Sequence, residues 1–150
     1  MLAFHGKQSI KTKYLNRVIR HKKADQLVQG YGYFKDGKGC AVGCTVHSSS
    51  HAAYETELGI PIVLAKLEDK IFEGLPVAEA RRWPSRFLRA ITPGANLSGV
   101  WNEYVIWLLS NPVSGVIRHA RTQRTKDVIM AVSDLYIELV EGRSVTQAQW

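Results

Sequence analysis

The run Cys40-Ala41-Val42-Gly43-Cys44-Thr45-Val46-His47-Ser48-Ser49-Ser50-His51-Ala52-Ala53-Tyr54-Glu55 holds both cysteines and two of the five histidines of a 150-residue chain. Three readings compete for it. Cys40, Cys44, His47 and His51 would share one face of a continuous helix, as a set of metal ligands would. A helix rises about 1.5 Å per residue, however, so the outer two would stand roughly 16 Å apart. Zinc holds its ligands at about 2.0–2.3 Å, so a metal would need the chain to fold back between Gly43 and Ser50. A reactive-thiol reading pairs Cys44 with His47 or His51, and asks for a helix N-terminus or a cation to favour the thiolate. A packing reading takes the small and apolar residues from Gly39 to Val46 as a close-packed segment of core, because free cysteine is among the most buried residue types.

Working outward, Tyr31-Gly32-Tyr33-Phe34-Lys35-Asp36-Gly37 contains a turn signal at Asp36-Gly37. It predicts a hairpin with Tyr31 and Tyr33 on one strand and Ala41 to Val46 on the other. Upstream, Gln8 to Arg20 reads as an amphipathic helix with Ile10, Tyr14, Leu15, Val18 and Ile19 inward, followed by a short helix to Gln29. Downstream, Ser48 to Ser50 form a loop before a helix His51–Leu58, which Gly59 ends. Pro61 opens the next helix, whose stripe is Ile60, Val63, Leu64, Leu67 and Ile71; within it Glu68 is expected half buried beside an Arg or His. Pro76 starts another helix, and Pro84 kinks it or begins a new one. Leu97 to Leu109 is apolar nearly all round and is expected to be the central buried helix. Gln123 to Val140 forms the last helix, with Val128, Val132, Leu135, Tyr136 and Leu139 inward and Asp127, Asp134, Glu138 and Glu141 outward. The expected fold is mainly α, a single compact domain of six to eight short helices over residues 1–142, with one small β-hairpin near 31–46 and a flexible polar tail over 143–150.

The totals set the class. An apolar fraction of 45% suits a folded chain of this length. No apolar run reaches a membrane span, and the densest, Val100 to Leu109, contains Glu103. Together with a first segment lacking a signal core, this predicts a soluble, cytoplasmic protein with no membrane partner. The net charge of +7 points to an acidic protein or nucleic acid as partner. Its expected contact residues are the row Lys13, Arg17 and Arg20 and the row Arg82, Arg86 and Arg89; such rows suit phosphates or carboxylates. A homo-oligomer is also open to the chain, and Trp150 in a polar tail is the residue placed to dock on another subunit. The acids Glu55, Asp69 and Glu73 offer a weak magnesium pattern, and the glycines near Gly39 lack the Gly-Lys-Ser/Thr ending of a phosphate loop.

Five segments, GKGCAVGCTVH (37–47), HAAYETELGIP (51–61), LEDKIFEGLP (67–76), WPSRFLRAI (83–91) and PGANL (93–97), together resemble a family of small uncharacterised proteins seen in bacteria and their phages. The resemblance spans about Tyr14 to Leu109. It implies a phage or mobile-element setting and carries no activity, cofactor or site residue. Two functions stand side by side. One is a non-catalytic protein whose basic faces engage an acidic partner. The other is an enzyme or a small-ligand or metal pocket built around Cys40, Cys44, His47, His51, Glu55 and Glu68. No cofactor is implied, zinc being the one metal the Cys/His spacing suggests.

Overall fold

The computed structural model describes residues 1–150. It is mainly α, with eight α-helices and one two-stranded antiparallel hairpin, as the sequence predicts. The chain divides into two compact units, Met1–Leu97 and Ser98–Trp150. No helix is long and apolar enough to cross a membrane.

In the first unit, α1 (Gln8–Lys23) buries Tyr14, Val18 and His21, one stripe at i, i+4 and i+7. Its end differs from expectation. Asp25 takes a left-handed φ of 53°, and the chain leaves the helix extended instead of running helically to Gln29. The backbone of 26–28 then satisfies the polar groups of Gly39: the Gly39 N–H donates to the Gln26 carbonyl and the Val28 N–H to the Gly39 carbonyl, both at 3.0 Å.

The hairpin falls within 31–46 as expected, but it is shorter and pairs other residues than those predicted. β1 (Phe34–Lys35) pairs with β2 (Lys38–Gly39) around Asp36 and Gly37, whose φ values of 51° and 78° make a tight two-residue turn. The predicted second strand, Ala41 to Val46, is instead the helix α2 (Ala41–Val46). Val42, Thr45 and Val46 favour a strand by propensity, but tertiary packing overrides it: all six residues of α2 are buried. Cys40 caps the helix, its sulfur accepting from the Gly43 N–H, and His47 ends it in the left-handed region at φ 55°.

Two glycines permit this arrangement. A Cβ at Gly39 would stand 1.9 Å from the Tyr33 carbonyl oxygen, and one at Gly43 would stand 1.2 Å from the same atom. The segment before the hairpin therefore lies directly on α2, backbone against backbone.

The next helices surround α2. α3 (Ala53–Leu58) ends at Gly59 in the left-handed conformation. α4 (Ile62–Gly74) follows Pro61 and buries Leu64, Ala65, Glu68 and Phe72. The buried stripe lies one residue round from the predicted one, leaving Val63, Leu67 and Ile71 half-buried. α5 (Val77–Ala80) follows Pro76, and α6 (Trp83–Ala90) takes Pro84 in its first turn, so Pro84 begins a helix. The first residues lie along 94–97: the Ala3 N–H donates to the Ala95 carbonyl at 2.9 Å, and the Leu97 N–H to the Met1 carbonyl at 3.1 Å.

In the second unit, α7 (Val100–Ser110) packs against α8 (Gln123–Val140), and Thr122 caps α8 by accepting from the Thr125 N–H. Here burial falls short of expectation. α7 has one fully buried residue, Val105, and its Trp107 is 46% exposed, so it is not a central buried helix. On α8 the predicted inward residues are not buried: Val128 is 57% exposed, Val132, Leu135, Tyr136 and Leu139 are half-buried, and only Ser133 is fully covered. The tail carries a 3-10 turn, Gln147–Gln149, closed by a Thr146–Gln149 capping box, and the Trp150 ring meets Tyr136 edge-on.

The glycine contact gives a direct test. Gly43→Ala should destabilise the first unit by about 3 kcal/mol, because the new methyl meets backbone that cannot rotate away. Urea unfolding followed by circular dichroism measures it. Gly74→Ala is the control: a Cβ there meets nothing within 4 Å, and that variant should unfold like the parent.

Candidate functional site

The left-handed turn at His47 decides which side chains meet. It breaks the helix between His47 and His51, so Cys40, Cys44, His47 and His51 do not share one face. No group of three or more His, Cys, Asp or Glu side chains comes together that could hold a metal ion.

His47 joins His21. Their Nε2 atoms are 2.7 Å apart, and His21 Nδ1 is 2.7 Å from Gln26 Oε1. A side-chain carbonyl oxygen only accepts, so His21 Nδ1 carries the hydrogen, and neutral His21 Nε2 accepts from His47. Phe34 stacks on His47 with centroids 4.4 Å apart. Burial, then Arg17, His21 and Arg20, hold the His47 pKa below its usual value, which favours the neutral form of His47.

Cys44 faces the core and donates weakly to the Gln26 and Gly39 carbonyls, both at 3.4 Å. Burial pushes both thiols up to about 12, and the neighbouring Asp69 carboxylate adds to the effect at Cys40. Both are free thiols and remain protonated, the opposite of what a nucleophilic cysteine needs. Glu55 is occupied locally, accepting from the Ile62 N–H at 2.9 Å at the start of α4.

Of the remaining predicted residues, His51 and Cys40 line two hollows that share Tyr33 and Asp69. The Tyr33 hydroxyl is 3.4 Å from His51 Nδ1, and their rings meet edge-on. His51 Nε2 lies 3.7 Å from Asp69 Oδ2, too far for a direct hydrogen bond. These side chains line a cleft of about 310 Å³ with Lys66 and Lys70 at its rim. A smaller hollow of about 60 Å³ beside it is lined by Gly32, Tyr33, Cys40, Asp69 and Glu73. Behind them Glu68 is fully buried, and its partner is neither the Arg nor the His expected. Tyr54, also fully buried, donates to Glu68 Oε2 at 2.5 Å.

Unpaired polar atoms concentrate here. Four buried side-chain atoms lack a hydrogen-bond partner, and three are His51 Nε2, Asp69 Oδ1 and Glu68 Oε1. Native proteins leave few such atoms, because each costs the desolvation of a polar group without return. Tyr33 is not among the residues the sequence offers for a site, and Asp69 is offered only as part of the weak magnesium pattern. Asp69 is legible as an acid beside Glu68, but nothing in the sequence brings it to His51.

The basic rows are partly committed. The Arg17 guanidinium donates to the Thr45 carbonyl at 2.9 Å and lies over the Tyr14 ring, as does the Lys13 ammonium. Arg82 and Arg86 both reach the Glu79 carboxylate, at 3.5 and 3.4 Å. Arg20 and Arg89 keep their charged ends exposed, although the Arg89 backbone carbonyl accepts from Lys11.

Burial holds the Glu68 pKa up to about 8, with Asp69 adding to the rise and the Tyr54 hydrogen bond opposing it. The native state therefore keeps a proton between the unfolded value of 4.5 and about 8 that the unfolded chain has released. Stability from this group is full below 4.5 and is lost as pH rises through 8, at up to about 1.4 kcal/mol per pH unit. Glu68→Gln removes the titration and retains an acceptor for Tyr54. The stability of Glu68→Gln relative to the parent should rise steadily from pH 5 to pH 8; parallel urea-unfolding curves across that range would remove this assignment.

The chain matches no protein-family model, no curated protein and no solved structure.

Proposed function

We propose that the protein binds a small phosphorylated compound bearing a free hydroxyl, in the cleft formed by Tyr33, His51, Lys66, Asp69 and Lys70. The observation that carries this reading is the pair of unpaired atoms His51 Nε2 and Asp69 Oδ1 in a cleft wall. With the Tyr33 hydroxyl donating to Nδ1, the ring hydrogen sits on Nε2, which is buried and has no partner within the chain. A ligand hydroxyl held against both side chains accepts from Nε2–H and donates to the carboxylate, whose Oδ2 stands 3.7 Å from Nε2 and whose Oδ1 has no partner. The side chains of His51 and Asp69 are 13% and 21% exposed, which favours a strong polar contact there. Lys66 and Lys70, one turn apart on α4, supply positive charge for a phosphate at the rim.

The same geometry sets the chemistry within reach. Asp69 is placed to take the hydroxyl's proton and His51 to steady the oxygen, an arrangement usable for binding and for general-base activation. Cys40, protonated, lines the smaller hollow that shares Asp69 with the cleft. A protein that sequesters such a ligand fits the phage setting that the sequence resemblance implies. The reading in which basic faces grip an acidic macromolecule draws less support, because Arg17, Arg82 and Arg86 already hold groups of this chain.

Isothermal titration with ribose 5-phosphate, adenosine monophosphate and inorganic phosphate tests the proposal. At least one of the two hydroxyl-bearing phosphates should bind more tightly than inorganic phosphate. Asp69→Asn and His51→Ala should each weaken that binding about tenfold or more, roughly 1.4 kcal/mol. Lys66→Ala with Lys70→Ala should weaken it further and flatten its salt dependence. Absence of binding heat for all three probes, or variants that bind like the parent, would overturn it.

A further inference from the structure

α8 carries more apolar circumference than its own unit covers. At 100° per residue, the half-buried Ile129, Tyr136 and Ile137 lie within about 60° of Ser133, the helix's one fully buried residue. A second stripe, Val128, Val132, Leu135 and Leu139, runs about 100–160° round the helix from Ser133. Val128 is 57% exposed and the other three are half-buried. Their 4-3-4 spacing is that of a coiled-coil seam, not of scattered surface residues.

The charges on α8 identify what covers the stripe. Arg124, Ala131 and Glu138 are seven residues apart and edge the seam on one side. Arg124 lies in the first turn and Glu138 in the last, each at the end that the helix dipole disfavours, and no acid in the first turn or base in the last offsets them. Neither has an ion-pair partner in the chain. An identical helix laid antiparallel corrects both. With a two-fold axis at Ala131, Arg124 of each helix faces Glu138 of the other, each charge meets the opposite dipole end, and small Ala131 lets the helices approach.

We infer that α8 pairs with α8 of a second copy of this chain in an antiparallel, isologous seam of Val128, Val132 and Leu135, with Leu139 beyond the overlap, flanked by two Arg124–Glu138 ion pairs. The seam is self-complementary in both shape and sign. An unrelated acidic or basic partner would satisfy only one end of it.

Light scattering after size exclusion, and sedimentation over a concentration series, test this on the full chain. The parent should have a mass near twice the 16.8 kDa of one chain. Val128→Asp should give monomer with an unchanged circular dichroism spectrum, since Val128 is already exposed within a single chain. Arg124→Glu and Glu138→Arg should each weaken self-association about tenfold. An equimolar mixture of the two should form heterodimer, and the double variant carrying both changes should regain the parent affinity. A parent monomeric throughout the series would overturn the proposal. So would a dimer indifferent to the two charge reversals, or single variants that fail to pair with each other.

Discussion

The carbonyl oxygen of Tyr33 lies where side chains at Gly39 and Gly43 would otherwise be, within 1.9 and 1.2 Å of the Cβ positions. From that contact follows most of the first unit. It lays the 31–33 segment on α2, brings the Gly32 carbonyl to the Cys40 N–H at 2.9 Å, and closes the hairpin over the helix N-terminus. With one side of α2 occupied by backbone and others by α1, α4 and α6, a six-residue helix poor in helix formers is held by burial alone. The same contact fixes Tyr33 at the lip of the cleft, where its hydroxyl meets His51.

Polar groups inside this unit fall into two kinds. His21, His47 and Gln26 satisfy one another in a chain of short hydrogen bonds, and burial holds the His47 pKa down. Tyr54 and Glu68 form a buried pair in which the carboxyl holds its proton to about pH 8. Each of these groups has a hydrogen-bonded partner inside the fold, although Glu68 Oε1 is left without one. The His51–Asp69 pair differs: its atoms sit in a cleft wall, oriented by Tyr33, with donor and acceptor capacity left over. That contrast, more than residue type, separates the candidate site from the rest of the Cys/His stretch.

The second unit is organised by a different balance. α7 and α8 bury little completely, with Val105 and Ser133 the only fully covered residues of the two helices. Two helices packed on each other cover one face apiece. A helix apolar over more than half its circumference then presents a remaining stripe outward, and Trp107 and Val128 are the visible consequence.

The amino-acid sequence by itself determined the elements whose boundaries are local chemistry. Asp36-Gly37 required a tight left-handed turn, Gly59 a helix end, Pro61 and Pro76 helix starts, and the spacing in Gln123–Val140 a long helix; each is where the residues put it, while Pro84, open between kink and start, begins a helix. Mainly α architecture followed from these. Only the tertiary structure decided what depends on partners distant in the chain. It made Ala41–Val46 a helix against its strand propensity, because two glycines admit the Tyr33 carbonyl. It sent His47 to His21 and His51 to Asp69, because one left-handed residue parts them. It turned Glu68 to Tyr54 and left Val128 uncovered. Turn and cap preferences act over a few residues and can be read in order along the chain. Burial and pairing are set by what packs across the fold, and sequence spacing carries no record of that neighbour.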